Sequence, residues 1–135
     1  MQRQSHTSPD GLLTLTSEPT RTINADHPEG FDDWIITIEP GDMHTHPDLL
    51  APSDSSELAK AEAAQRFIDD ILQDRTILII RSVSNQITEV SWVDAHTQTL
   101  ESAVHEAKND SHRDPNSPEH RIVFRLWSGT VFATV

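Results

Sequence analysis

The stretch that decides the fold runs from residue 54 to residue 83 and reads DSSELAKAEAAQRFIDDILQDRTILIIRSV. In its first half, apolar side chains recur at the period of an α-helix and form one stripe: Ala64, Phe67, Ile68, Ile71 and Leu72. Its second half, residues 76–83, is nearly continuous in apolar and β-branched residues, which is typical of a central strand. We therefore predict a long helix over residues 55–73 that packs its stripe on a sheet.

The start of this helix is marked by Asp54-Ser55-Ser56-Glu57, which has the form of a capping box. In that motif the Asp54 carboxylate accepts hydrogen bonds from the first-turn amides, and the Glu57 side chain reaches back to the amide of the capping residue. The motif predicts Asp54 as the N-cap.

Further strands are predicted on both sides of this stretch, because Thr, Val, Ile and Trp are enriched in short runs that end at Gly, Pro or Asn. These runs are residues 12–16, 34–38, 87–93, 122–127 and 131–135. Residues 20–23 either pair with 12–16 as a hairpin or continue it as an extended segment. A weaker helical pattern over residues 97–108 indicates a second, short helix.

The predicted fold class is α+β: a mostly antiparallel sheet of five or six strands, with one long helix and a second short one packed on it. Residues 1–10 are polar, and we expect a flexible N-terminus there. Residues 11–135 then form a single α+β domain, which suits a chain of 135 residues.

Charge and composition exclude several classes of partner. The chain has 10 Lys+Arg against 22 Asp+Glu, a formal net charge of −12. Nucleic-acid and anionic-membrane binding both gain affinity from basic residues, so neither is expected. The chain has no cysteine and hence no disulfide or thiolate site. Because residues 1–6 have no apolar region typical of a secretory signal, we expect a cytoplasmic location.

The most conspicuous group of polar side chains is Asp42-Met43-His44-Thr45-His46-Pro47-Asp48. In an extended segment His44 and His46 point to the same face, where two imidazoles can chelate one divalent ion. Asp48 or a distant carboxylate can add an oxygen ligand. The alternative is that both histidines lie at a strand end and hydrogen-bond backbone groups.

The run His44-Thr45-His46-Pro47, followed by Pro-Ser and a helix, resembles the JAMM family of zinc metalloproteases. The resemblance implies that His44 and His46 bind zinc. A following serine, an aspartate at the start of the next helix and an upstream glutamate base complete that family's site. One register places Asp54 and Glu57 at the serine and aspartate positions, and a shift by one residue gives Ser53 and Ser56. The glutamates upstream of the motif are Glu18, Glu29 and Glu39.

Other catalytic patterns are absent from the sequence. The chain has only four glycines, and no phosphate-binding loop or nucleophile elbow can be read from it. The acidic pairs Asp32-Asp33 and Asp69-Asp70 are interpreted as solvated surface positions. The tryptophans, which all lie in strand runs, are interpreted as core residues: Trp34, Trp92 and Trp127.

In general character the chain is similar to the small acidic immunity proteins of bacterial toxin systems, which bind a cognate toxin and block its active site. That similarity implies a non-enzymatic, cofactor-free, cytoplasmic inhibitor of a basic protein partner, held by protein–protein interaction. The expected partner-binding residues are Asp26, Glu29, Asp32, Asp33, Asp42, Asp48, Asp110, Asp114 and Glu119. One alternative is a zinc-dependent JAMM-like hydrolase using His44, His46 and Asp48, and another is a regulatory domain that binds a small ligand between helix and sheet.

Overall fold

The computed structural model describes residues 3–23, 25–26, 28–41, 43–46, 56–109 and 119–135. For Thr22 and Glu57 it describes the backbone only. Within these ranges the chain forms eight strands and two helices. In chain order they are β1 (Gln4–Thr7), β2 (Thr14–Thr22), β3 (Phe31–Glu39), β4 (Met43–Thr45), α1 (Glu57–Leu72), β5 (Leu78–Val83), β6 (Gln86–Trp92), α2 (Leu100–Lys108), β7 (His120–Arg125) and β8 (Val131–Thr134).

The strands form two antiparallel sheets of four rather than the single sheet of five or six that the sequence predicts. Sheet A has the order β1-β2-β3-β4, and sheet B has the order β6-β5-β7-β8. The α+β class and the antiparallel pairing are confirmed, and the single sheet is wrong. The physical reason is that α1 joins β4 to β5 without a strand pairing between them, so each half of the chain pairs only with itself.

Strand β2 is one continuous strand through Pro19, which settles the open choice for residues 20–23 in favour of extension. Proline lacks a backbone N–H and is tolerated in a strand where one side has no neighbour. Strand β1 pairs with β2 only from Thr14 to Ser17, so at Pro19 the only paired strand is β3, through Trp34.

The main core lies between the two sheets and α1. The stripe predicted for α1 is confirmed: Ala64, Ile68 and Ile71 are fully buried, and Phe67 and Leu72 pack beside them. This stripe meets the inner face of sheet A and the inner face of sheet B, and Trp127 closes one side. The inner-face residues are Leu15, Ile36, Ile38 and Met43 from sheet A, and Leu78, Ile80 and Val90 from sheet B.

A second core covers the outer face of sheet B. Ile122 and Phe124 of β7 are fully buried against Ala103 and Ala107 of α2. Because side chains alternate along a strand, Ile79 of β5 joins this second core while its neighbours Leu78 and Ile80 join the first. The prediction that residues 76–83 contain a central strand is therefore confirmed for Leu78–Val83, and the structure covers this strand on both faces.

The helix boundaries differ slightly from the predicted ones. Helix α1 begins at Glu57, and its N-cap is Ser56, whose hydroxyl accepts a hydrogen bond from the Ala59 amide at 3.2 Å. The predicted N-cap, Asp54, lies outside the described residues, and capping by Ser56 shows that prediction to be two residues early. Helix α2 begins at Leu100 rather than 97, after an N-cap at Thr99.

Segments near both ends of the described residues are paired with a sheet. Residues 4–7, within the segment expected to be a flexible N-terminus, form β1 on the edge of sheet A. At the other end, Val135 and Ile122 exchange backbone hydrogen bonds of 2.8 and 3.0 Å. The connector between β5 and β6 is a two-residue turn in which Ser84 and Asn85 both have positive φ, 52° and 66°, a backbone that suits the twist of a hairpin.

Candidate functional site

His44 lies on β4, the short edge strand of sheet A, and His46 directly follows that strand. Strand β4 pairs with β3, which places Thr45 opposite Ile36 and His44 opposite Thr37. Thr45 is buried toward the core, whereas His44 is exposed and His46 is half-buried. Their rings meet edge to face with centroids 5.8 Å apart. The prediction that both imidazoles share one face is confirmed.

A buried carboxylate lies beside His46. The Asp33 side chain is only 1% exposed, and its Oδ2 is 3.5 Å from His46 Nδ1. The same Nδ1 is 3.1 Å from the carbonyl oxygen of Trp34. Asp33 was interpreted as a solvated, partner-binding residue; its burial corrects that interpretation. The backbone hydrogen bond of His46 matches the alternative proposed for a strand-end histidine, but the buried carboxylate is an addition that the sequence does not reveal.

These contacts fix the protonation pattern of the His46 ring. A carbonyl oxygen can only accept a hydrogen bond, so Nδ1 of His46 carries the proton and donates it to Trp34. The adjacent Asp33 carboxylate favours the same arrangement. In the neutral ring Nε2 is then the nitrogen with a free lone pair.

No third ligand joins the two histidines in the described part of the chain. There, no group of three or more His, Asp or Glu side chains is placed to hold a metal ion. Asp48, the predicted oxygen ligand, lies outside the described residues, as do Ser53 and Asp54 of the JAMM-like registers. Of the glutamates considered as a base, Glu18 lies 3.6 Å from the guanidinium of Arg3 in an exposed ion pair.

The first predicted acidic surface lies at the end of the β2–β3 hairpin where the two strands are connected. We call its exposed carboxylates, Asp26, Glu29 and Asp32, the acidic hairpin end. Arg21 of β2 binds this end at three points: its guanidinium donates to the carbonyl oxygens of Glu29 at 2.7 Å and Gly30 at 3.5 Å, and it lies 3.4 Å from the Asp32 carboxylate. The Asp32 side chain remains 89% exposed.

The other predicted partner-binding residues are divided between described and undescribed parts of the chain. Glu119 is exposed and accepts a hydrogen bond of 2.6 Å from the Ser84 hydroxyl. Asp42, Asp48, Asp110 and Asp114 lie outside the described residues. The structure therefore joins Glu29 and Asp32 through Arg21, leaves Asp26 exposed in the same connection between β2 and β3, removes Asp33 from the surface and places Glu119 at the β5–β6 hairpin of the other sheet.

Several carboxylates form ion pairs with arginines of the same chain. Five such pairs lie within the described ranges: Arg3–Glu18, Arg21–Asp32, Arg75–Asp70, Arg81–Glu89 and Arg125–Asp10. Each pair contains one positive and one negative charge, so the pairs leave the net charge unchanged. The excess of acid that gives the net charge of −12 is therefore carried by carboxylates outside these pairs.

The shortest of these ion pairs could not be predicted from the sequence. Arg125 of β7 is 5% exposed, and its guanidinium lies 2.6 Å from Asp10 Oδ2. The hydrogen bond from Arg125, together with those from the Ser8 hydroxyl and the Leu12 amide, holds the pKa of the Asp10 carboxyl well below its usual range. This pair fastens the turn between β1 and β2 to sheet B. A separation of 115 residues leaves no local pattern from which it could have been found.

A groove lies between α2 and the β5–β6 side of sheet B, where a small ligand would be expected. Its volume is ≈ 700 Å³. Ile79, Ala107 and Phe124 contribute its apolar lining, whereas Arg81 and Glu106 contribute charge. The lining is mixed rather than purely apolar, so binding of a small ligand stays a prediction.

Comparisons with known proteins supply no relative for this chain: no protein-family model, no curated protein and no solved structure matches it. In the described ranges, neither helix combines the length and the apolar character needed to cross a membrane.

Proposed function

We propose that the protein is a non-enzymatic acidic binding protein, of the immunity type, that occludes a basic protein partner such as a cognate toxin. In this proposal the acidic hairpin end is the contact surface. Its carboxylates pair with Lys and Arg side chains that surround the partner's active site. No cofactor takes part in this interaction.

The observation that carries this proposal is the way in which Arg21 holds the acidic hairpin end. A flexible acidic loop loses conformational entropy when it binds, whereas a loop fixed beforehand keeps more of the interaction energy. Arg21 spends its donors on the carbonyl oxygens of Glu29 and Gly30, so the guanidinium orders the backbone. The Asp32 carboxylate lies 3.4 Å from the same guanidinium, but 89% of its side chain remains exposed and accessible to a partner.

The overall charge supports the same proposal through association kinetics. A domain of net charge −12 attracts a basic partner over distances of about a Debye length, roughly 8 Å at physiological salt. Such steering raises the association rate and falls steeply with ionic strength. Partner binding should therefore weaken when salt is added.

The experiment is capture of partners from an extract of the native cell on covalently immobilised protein, with a parallel triple variant Asp26→Asn, Glu29→Gln and Asp32→Asn. We expect the unchanged protein to retain a basic protein at low salt and to release it as NaCl rises. The triple variant should bind that protein at least about tenfold more weakly, mainly through slower association.

A matched control removes the same amount of charge elsewhere. The variant Glu39→Gln, Glu62→Gln and Glu101→Gln also neutralises three exposed carboxylates, so its change in net charge is identical. Retention by the control and loss by the site variant supports the proposal. Equal binding by both variants, or retention of no basic protein by the unchanged chain, would refute it.

A further inference from the structure

We propose that the groove between α1 and the end of β6 binds a small planar aromatic carboxylate, with its ring against Phe67 and Trp92 and its anionic group on Arg66. We call this space the α1–β6 groove. Its volume is ≈ 430 Å³, which lies within the range of small-molecule sites. The carboxylates of the acidic hairpin end are not among its lining residues, so this proposal stands apart from the proposed function.

The first argument is the aromatic wall of the groove. The rings of Phe67 on α1 and Trp92 on β6 meet edge to face, with centroids 5.0 Å apart and an interplanar angle of 70°. Both side chains pack against the main core, which fixes the wall. Both are only half-buried, so part of each remains exposed where it lines the groove. A planar ring that packs on such a wall gains contact area and loses little conformational entropy.

The second argument is a guanidinium without a carboxylate. Arg66 is exposed and lines the groove, and within the described ranges its side chain has no hydrogen bond or ion pair. Asp70 lies one helical turn further along α1, at the spacing where such pairs form, but its carboxylate is 2.8 Å from Nε of Arg75. Arg66 therefore keeps its five N–H donors for a ligand.

The third argument is the charge of the lining. Two arginines and two aspartates line the groove, so their formal charges cancel, although the whole chain carries −12. Both aspartates are engaged: Asp70 pairs with Arg75, and Asp94 Oδ1 accepts a hydrogen bond of 3.0 Å from the backbone amide of His96. The remaining cation is Arg66, which favours an anionic ligand. Repulsion from more distant carboxylates is screened beyond roughly 8 Å at physiological salt.

The shape of the guanidinium selects the anionic group of the ligand. Its planar fork of N–H donors matches a carboxylate, which it can bind through two parallel hydrogen bonds. The exposed imidazole of His96, which also lines the groove, offers a further N–H donor. A ligand that contacts the aromatic wall and Arg66 at the same time must carry its carboxylate on, or close to, a planar ring.

The test is titration of cinnamate, a planar aromatic carboxylate, into the ¹⁵N-labelled full chain, followed by NMR. We expect one cinnamate to bind per chain, with a dissociation constant of about 1 mM or lower. Chemical-shift changes should concentrate at the amides of residues 92–96 and at the Nε–H of Arg66. Cinnamamide keeps the shape without the charge, and cyclohexylacrylate keeps the charge without the aromatic ring; each should bind about tenfold more weakly.

The contribution of each part of the site is tested with variants. Arg66→Gln should weaken the binding of cinnamate by about tenfold and that of cinnamamide by less, and it should remain folded because the side chain is exposed. The matched control is Arg121→Gln, which removes the same charge from an exposed position on β7 outside the groove; it should bind cinnamate as the unchanged chain does. Trp92→Leu should weaken the binding of both ligands, because it removes the ring contact that they share.

Three results would overturn the site: no saturable binding at millimolar cinnamate, equal affinity in Arg66→Gln and Arg121→Gln, or chemical-shift changes confined to residues outside the groove. Equal affinity of the unchanged chain for cinnamate and cinnamamide would overturn the choice of an anionic ligand, and equal affinity for cinnamate and cyclohexylacrylate would overturn the role of the aromatic wall.

Discussion

The two sheets have the same number of strands and the same antiparallel pairing, but their outer faces differ. The outer face of sheet B is a second core, in which Phe124 and Ile122 are fully buried beneath α2. On sheet A the outer face carries His44, His46 and the buried carboxylate of Asp33. The comparison indicates a division between the sheets. Sheet B contributes stability through apolar contacts on both faces, whereas sheet A places two imidazole rings and a carboxylate on its outer face.

The largest effect that tests this division is expected for Phe124→Ala. Removing a fully buried aromatic ring costs the transfer free energy of the ring and leaves a cavity, about 3–5 kcal/mol of unfolding free energy. Ile35→Ala, a half-buried position on the outer face of sheet A, should cost less than half of this amount. Urea denaturation followed by tryptophan fluorescence measures both values.

A control on sheet B itself separates burial from the mere loss of an aromatic side chain. Phe132 of β8 is 47% exposed, so Phe132→Ala should cost about 1 kcal/mol or less. Equal losses for Phe124→Ala and Ile35→Ala would show that the outer faces of the two sheets do not differ in stability.

The second prediction concerns the ion pair that fastens sheet A's first turn to sheet B. Asp10→Asn leaves the buried Arg125 guanidinium without its anion, and we expect a loss of about 2–3 kcal/mol; the partial exposure of Asp10 keeps the value below that of a fully buried pair. The matched control is Asp32→Asn, which breaks the exposed pair with Arg21 and should cost about 0–1 kcal/mol.

The pH dependence of this pair has a definite sign. The folded-state pKa of Asp10 is lowered, chiefly by the hydrogen bond from Arg125. The contribution of Asp10 is therefore complete above the unfolded pKa, about 3.9, and declines as pH falls below that value toward the folded pKa. The stability gap between the unchanged chain and Asp10→Asn should be constant from pH 7 to about 5 and shrink below about 4. A gap that widens in acid would contradict the assignment.

The third prediction tests the point at which the two sheets touch. Gly41, in the turn between β3 and β4, has φ of 109°, and a Cβ there would lie 3.2 Å from the backbone carbon of Glu89 and the nitrogen of Val90 in β6. Gly41→Ala should therefore cost about 1–2 kcal/mol, from backbone strain and from displacement of β6.

Gly11 supplies the matched control for this contact. It also has positive φ, 73°, but a Cβ there would meet no atom within 4 Å. Gly11→Ala therefore reports the strain alone, about 1 kcal/mol, and the difference between the two variants reports the close approach of the sheets. If both variants lose the same unfolding free energy, the close approach of the turn to β6 adds nothing to the cost of the Gly41 substitution.

Local patterns predicted much of the fold. The stripe on α1, the central position of β5 and the common face of His44 and His46 all follow from residue spacing, because each is decided within one element. For residues 20–23 the local pattern allows both a hairpin with residues 12–16 and an extension of them, and only the pairing of β2 with β3 through Pro19 decides for the extension.

Features that depend on long-range pairing could not be predicted. The division into two sheets arises from which strands pair, and hydrophobic periodicity is the same for one sheet or two. Asp33 follows Asp32 in sequence, and nothing in the pair Asp32-Asp33 distinguishes the exposed carboxylate from the buried one. Its place beside His46 depends on the pairing of β3 with β4, and this contact completes the candidate site.

The smallest expected effect concerns the inner face of sheet A. Ser17 of β2 is fully buried there, next to Ile36 of β3, and its Oγ has no hydrogen-bond partner within the described ranges. A buried hydroxyl without a partner loses its water contacts and gains none in return. Ser17→Ala should therefore stabilise the fold by about 1 kcal/mol, measured by urea denaturation. Ser5→Ala on the exposed side of β1 is the control and should change stability by less than about 0.5 kcal/mol. A loss of stability in Ser17→Ala would show that the hydroxyl forms a hydrogen bond. The buried polar groups of sheet A would then be satisfied as fully as the buried Arg125 of sheet B, which is paired with Asp10.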